Sequence, residues 1–259
     1  MTTPILFERD GAIARVTLNS PETGNGMDQP FCDRLLEIVH ECEDDDRIRV
    51  VLLTANGRFF CVGGNVNAFA AASDEIGKFV RNLTASLHMA IARLAALSKP
   101  VVTAVNGSAA GAGLGLAVIG DVVLAADSAK FTLAYPGIGL SPDAGATFIL
   151  PRLIGLRRTQ EMLYLGESIA ANEAARIGLI SRSAPAANLL EDAEKVVQRL
   201  AKMPTRTLAR SKKLLLLQGA RSLEQQLEHE AVEIVKCATE PNAKEGIAAF
   251  LENREAAFH

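Results

Sequence analysis

The chain has 259 residues, of which 49% are hydrophobic and 22% charged, and its formal net charge is -3. This length makes one large domain, or a large domain with a helical appendage, and the nearly balanced charge argues against nucleic acid or an anionic membrane surface as main partner. Cys32, Cys42, Cys61 and Cys237 show no CxxC spacing and read as free thiols of a reducing cytoplasm, the four histidines do not pair at metal-ligand spacing, and neither a leader nor a bilayer-length apolar run is expected.

Ala12 to Leu18 alternates as a strand, and Asn19 to Gly26 is a loop carrying Pro21, Gly24 and Gly26. Asp28 is placed to cap a helix with apolar positions Phe31, Leu35, Ile38 and Cys42. The acidic run Glu43 to Asp46 reads as a solvated helix end. Val50 to Thr54 is a buried strand, Gly57 to Asn67 a loop, and Ile76 to Leu94 a long amphipathic helix ending near Lys99-Pro100. Val101 to Val105 and Asp121 to Ala125 are further strands, with a glycine-rich turn and helix between them. Strands alternating with helices imply crossover units in a layered α/β core. After about Leu156 the pattern is nearly all helical, and no internal sequence repeat is visible.

Two turns carry chemistry. In VVTAVNGSAAGAGLGLAVIGD a buried strand runs into a turn where Gly111, Gly113 and Gly115 open an apolar helix. Small residues let a ligand approach the backbone, and a helix N-terminus offers unpaired N–H groups to an oxyanion. Close packing of helix on sheet also needs glycine, so the pattern alone leaves both readings open. In GRFFCVGGNVNAF, Gly63 and Gly64 free a second turn. Two such turns can give two N–H groups to one carbonyl oxygen. A third stretch, GLSPDAGAT, holds Asp143, which reads either as the N-cap of a helix beginning near Ala144 or as a working carboxylate.

Together with VTLNSPETGN, KPVVTAVNGSAAGAG, DVVLAADSAKFTLAYPGIGLSPDAGATFILPRLIG, AARIGLI and EGIAAFLENREAAF, these turns resemble the enoyl-CoA hydratase/isomerase (crotonase) superfamily over nearly the whole chain. The resemblance implies an α/β fold, a crotonase-like spiral of ββα units over residues 1–190 with a C-terminal helical region, 191–259, that forms trimers. It implies oxyanion donors at the backbone of Gly64 and Ala112. It implies that coenzyme A, entering as part of an acyl-CoA substrate with no other cofactor or metal, is held along the loop containing Cys61, Val62, Gly64, Asn65 and Val66. Phe250 lies in the terminal motif that completes a neighbour's pocket, so a homotrimer or dimer of trimers in the cytoplasm is expected, with no nucleic acid or membrane partner.

The departures decide the chemistry. The two glutamates that hydratases of this family use fall at Gly115 and Tyr135 in this chain. The loop after Leu18 carries Glu22-Thr23-Gly24 where basic residues often meet the CoA phosphates. Arg58, Lys212 and Lys213 are the alternatives, against the plainer reading of solvated surface charges. One carboxylate suffices to move a double bond, and Asp143 matches the acidic residue of the family's enoyl-CoA isomerases and of ring-1,2-epoxyphenylacetyl-CoA isomerases. Substrate-pocket positions are then His88, Tyr135 and Leu114. A rival comes from 4-chlorobenzoyl-CoA dehalogenase, where the matching aspartate is a nucleophile and a histidine at the place of His88 is the base. That rival loses its base if His88 lies far from Asp143. A binding-only member that keeps the thioester pocket is the non-enzymatic alternative.

Overall fold

The structure is a computed structural model that describes residues 3–258. Its first part runs β1 (Ile5–Asp10), β2 (Ile13–Leu18), α1 (Gln29–Asp44), β3 (Val50–Ala55), β4 (Phe59–Cys61), α2 (Val66–Ala72) and α3 (Ile76–Ala96). The middle runs β5 (Val101–Val105), β6 (Ser108–Ala110), α4 (Ala112–Val118), β7 (Val122–Ala126), β8 (Lys130–Thr132) and α5 (Ala146–Leu165). There follow β9 (Ser168–Ala170), α6 (Ala171–Arg176), β10 (Arg182–Ala184), α7 (Leu189–Ala201), α8 (Thr205–Leu217), α9 (Leu223–Ala238) and α10 (Pro241–Leu251).

Two sheets organise these elements. One has the order β1-β2-β3-β5-β7-β10 and the other β4-β6-β8-β9. Within the pairs β3/β4, β5/β6 and β7/β8, the first strand joins the larger sheet and the second the smaller, and both rows pair in parallel. Each unit therefore repeats the last one, displaced by one strand, which is the expected spiral of ββα units. The repetition is structural and leaves no repeat in the sequence.

Alternation along β3 explains why Val50 to Thr54 is apolar throughout. Val51 and Leu53 join the main core, while Val50 and Leu52 pack with Leu189, Ala193 and Val197 of α7. The expected boundary at 190/191 thus falls inside a helix that belongs to the core. The region after Leu156 is also not purely helical, since it contributes β9 and β10. Three-residue strands are too short to show a period, which is why β4 reads as part of a loop and β6 as part of the glycine-rich turn. The helix expected to begin near Ala144 begins at Ala146 and runs to Leu165; Pro151 and the non-helical Gly155 (φ 80°, ψ 157°) interrupt its pattern.

Asp28 caps α1 as expected, its side chain accepting from Phe31 N–H at 3.0 Å. At the other end of α1, buried Lys99 donates to the carbonyls of Cys42, Glu43 (3.1 Å) and Asp45 (2.9 Å). A cation satisfies the free carbonyls there and opposes the negative end of the helix dipole. Helices α8 and α9 have no fully buried residue. They and α10 expose Leu215, Leu223, Ile234, Ile247, Phe250 and Leu251. Among the described residues, no helix is long and apolar enough to cross a membrane.

Cys32, Cys42 and Cys61 are buried, and desolvation pushes their thiols up, to about 12 for Cys42 and Cys61. A thiol with a raised folded value binds its proton more tightly in the native state than in the unfolded one. Its contribution is complete below the ordinary thiol value of about 8.5 and is lost as pH rises toward the folded value. Urea unfolding should therefore show stability falling from about pH 9 upward, and more shallowly in Cys61→Ala. A flat profile between about pH 9 and 11 would contradict this burial.

Candidate active site

The turn after β4 and the turn before α4 meet. A Cβ built on Gly63, whose φ is +91°, would lie 2.9 Å from Ala110 O and 3.2 Å from Ala112 N. Only glycine takes that backbone angle without strain and allows that approach. Ala112 opens α4, so its N–H has no carbonyl one turn back to bond. Gly64 pairs with Met27 in an isolated bridge, where Met27 N–H donates to Gly63 O and Asn65 N–H to Met27 O, both at 2.8 Å. Alternation along this extended segment turns the N–H of Gly64 to the opposite side. Gly64 and Ala112 both line a cavity of about 340 Å³.

Apolar side chains from three parts of the chain make most of that wall: Phe69, Val80, Leu83, Leu87, Ile138 and Leu140. Among the described residues Asp143 is the one carboxylate on it, and Tyr135 stands beside it. The Tyr135 hydroxyl donates to Asp143 Oδ1 at 2.6 Å. Asp143 Oδ2 lies 3.4 Å from His88 Nε2, and the Ala144 N–H donates to that same nitrogen at 3.3 Å. A neutral imidazole nitrogen either accepts or donates, so one tautomer cannot serve both contacts. Tyr135 keeps its proton far above the ordinary tyrosine range, first because it is buried and then because the charge of Asp143 opposes a phenolate.

The capping expectation for Asp143 is corrected. Helix α5 begins at Ala146, its N-cap is Gly145, and no side chain caps it. Ala144 (φ +52°) and Gly145 (φ +76°) turn the chain away first. The carboxylate is therefore released from the helix and held by Tyr135. The Tyr135 hydroxyl thus bonds this carboxylate and also meets the backbone of Asp143.

The other expected positions divide. Val62, Gly64 and Val66 line the cavity. Cys61 is buried, donating from Sγ to Asn25 O at 3.0 Å and accepting from Gly63 N–H at 3.4 Å, so its side chain faces the core. The side chain of Asn65 caps α2 through Asn67 and Ala68 N–H. Leu114 is a core residue and not a wall residue, because α4 presents it to the interior. His88 reaches Asp143 without lining the cavity. Phe250 stands 83% exposed on α10. Lys212 is ion-paired with Asp121 at 2.8 Å, and Arg58 stacks on the Phe59 ring. The wall residues of α3 went unnoticed in the sequence because a cavity wall and a core face share one helical spacing.

A ββα spiral enclosing an apolar cavity with two glycine turns on its wall makes this a protein of the crotonase fold. The chain belongs to the enoyl-CoA hydratase/isomerase family, whose profile matches residues 8–259. It is 35% identical to the 1,2-epoxyphenylacetyl-CoA isomerase of Escherichia coli (strain K12), over 98% of this chain and 97% of that one. It is 32% identical to the trans-2-decenoyl-[acyl-carrier-protein] isomerase of Streptococcus mutans serotype c, again over 98% and 97%. The crystal structure of an enoyl-CoA hydratase from Polaromonas sp. JS666 superposes with a TM-score of 0.94 at 33% identity, covering 98% of this chain and 99% of that one. The chain is thus an acyl-CoA enzyme of this family, whose members include isomerases and hydratases.

Proposed function

We propose that this enzyme shifts a double bond within an enoyl-CoA thioester, with Asp143 as the proton shuttle. The observation that carries the reading is that Asp143 is the one carboxylate on the cavity wall among the described residues. In the forward sense Asp143 takes a proton from the α-carbon of a 3-enoyl thioester. The C–H electron pair forms the enolate, whose negative charge sits on the thioester oxygen against the N–H groups of Gly64 and Ala112. The protonated carboxyl then delivers its proton to the γ-carbon, and the double bond ends between the α- and β-carbons. Atoms balance without water, metal or redox group, and coenzyme A enters as part of the substrate. Adding water would call for a second acid–base group, and the two family positions for it hold Gly115 and Tyr135.

A second reading has one observation in its favour: His88 lies 3.4 Å from Asp143, within reach of a base for a dehalogenase-like ester intermediate. Against it stand the Ala144 N–H on the same nitrogen and the absence of His88 from the cavity wall. We also assign self-association to the exposed apolar side chains of α8, α9 and α10.

The test is product analysis with 3-hexenoyl-CoA. The reading expects a conjugated thioester of unchanged mass. A product heavier by one water, with no conjugated isomer, would overturn it in favour of hydration.

A further inference from the structure

We infer that Tyr135 is a positioning residue for Asp143: its hydroxyl holds carboxylate oxygen Oδ1 and so sets the rotation of the carboxylate that faces the cavity. The inference rests on the isomerase reading and adds to it a part that family resemblance does not supply, since Tyr135 stands where hydratases carry a glutamate.

Three observations support the clamp. The hydroxyl donates to Oδ1 at 2.6 Å, a short charge-assisted bond. The ring lies near the other half of the site: a Cβ added at Gly111, which precedes Ala112 in the turn, would stand 3.9 Å from Tyr135 Cζ, and all three residues line the same cavity. The backbone of Tyr135 is also fixed: its carbonyl accepts N–H bonds from Ile138 and Leu140, both at 3.1 Å, and Pro136 follows it. Without the hydroxyl, the carboxylate keeps only the longer 3.4 Å contact of Oδ2 with His88, and its broad terminal torsion is less restrained. The high proton affinity of Tyr135 keeps it a donor over the working range of pH.

Tyr135→Phe keeps the ring and its packing and removes only the donor. We expect kcat to fall about 10- to 100-fold, the loss of one hydrogen bond to a charged group, with KM within about twofold and an unchanged thermal midpoint. A merely structural role would lower the midpoint and leave kcat alone. A second measurement needs no turnover. The chain has two tyrosines and no tryptophan, so Tyr164→Phe leaves Tyr135 as the single phenol. In that background phenolate absorbance should stay suppressed while circular dichroism remains native, and should emerge at lower pH once Asp143→Asn removes the charge. Unchanged phenolate onset, or a Tyr135→Phe kcat within twofold of wild type, would overturn the inference. The isomerase reading survives either result provided Asp143→Asn is inactive. An active Asp143→Asn overturns both.

Discussion

On the proposed isomerase reading, Asp143→Asn should lower kcat for double-bond migration by roughly a thousandfold or more, the upper part of the range for a general acid–base group. Asparagine has the same shape and keeps an oxygen for the Tyr135 hydroxyl, so the 2.6 Å contact and the surrounding packing persist. The thermal midpoint and KM should change little, because the substitution removes proton affinity and leaves the cavity wall in place. Gly64 and Ala112 would still hold the thioester oxygen, so the variant should bind substrate without turning it over. Steady-state kinetics with unfolding controls check this, and a loss below about tenfold would remove Asp143 from the chemistry.

The second large effect is at Gly115. A Cβ there would run into the Ala144 carbonyl oxygen and stand 3.0 Å from Ala144 Cβ. The loop that carries Asp143 occupies the space that a family glutamate would need. A side chain at Gly115 and the present seat of the Asp143 loop therefore exclude each other. Gly115→Ala should cost about 3 kcal/mol of stability, the size of overpacking against a close-packed backbone, and should lower kcat by displacing the loop. Gly115→Glu, alone or with Tyr135→Glu, should give a destabilised protein without hydration activity. Urea unfolding and a hydration assay measure both. A stable double variant that adds water would show that the loop yields to the glutamate.

Much of the fold was legible because strong periods carried it. The helix from Ile76, the Asp28 cap and the strands at Val50 and Val101 appear where their apolar spacing puts them. The second sheet was not legible, since strands such as Phe59–Cys61 are too short for alternation to register. Strand β1 was hidden as well: most of its residues are exposed and it lies at a sheet edge. At the site, the glycine turns announced themselves by composition, and the resemblance singled out Asp143. Of the partners of Asp143, His88 was offered by the dehalogenase resemblance, whereas Tyr135 was named as a pocket position and not as a partner of Asp143. Tyr135 is eight positions away and His88 fifty-five, and neither separation signals a contact. The capping expectation failed because two left-handed residues, Ala144 and Gly145, separate Asp143 from the helix, and only one of them is the expected glycine.

Single-turnover mass spectrometry in 18O water distinguishes the two possible uses of Asp143 most directly. The enzyme in excess is mixed with 3-hexenoyl-CoA or with an aryl-CoA bearing a leaving group, and the peptide containing Asp143 is weighed beside the product. A proton shuttle leaves no label in Asp143 and yields an isomerised thioester free of 18O. Label in the Asp143 carboxyl group, left by hydrolysis of a covalent ester, would contradict the proton-shuttle account.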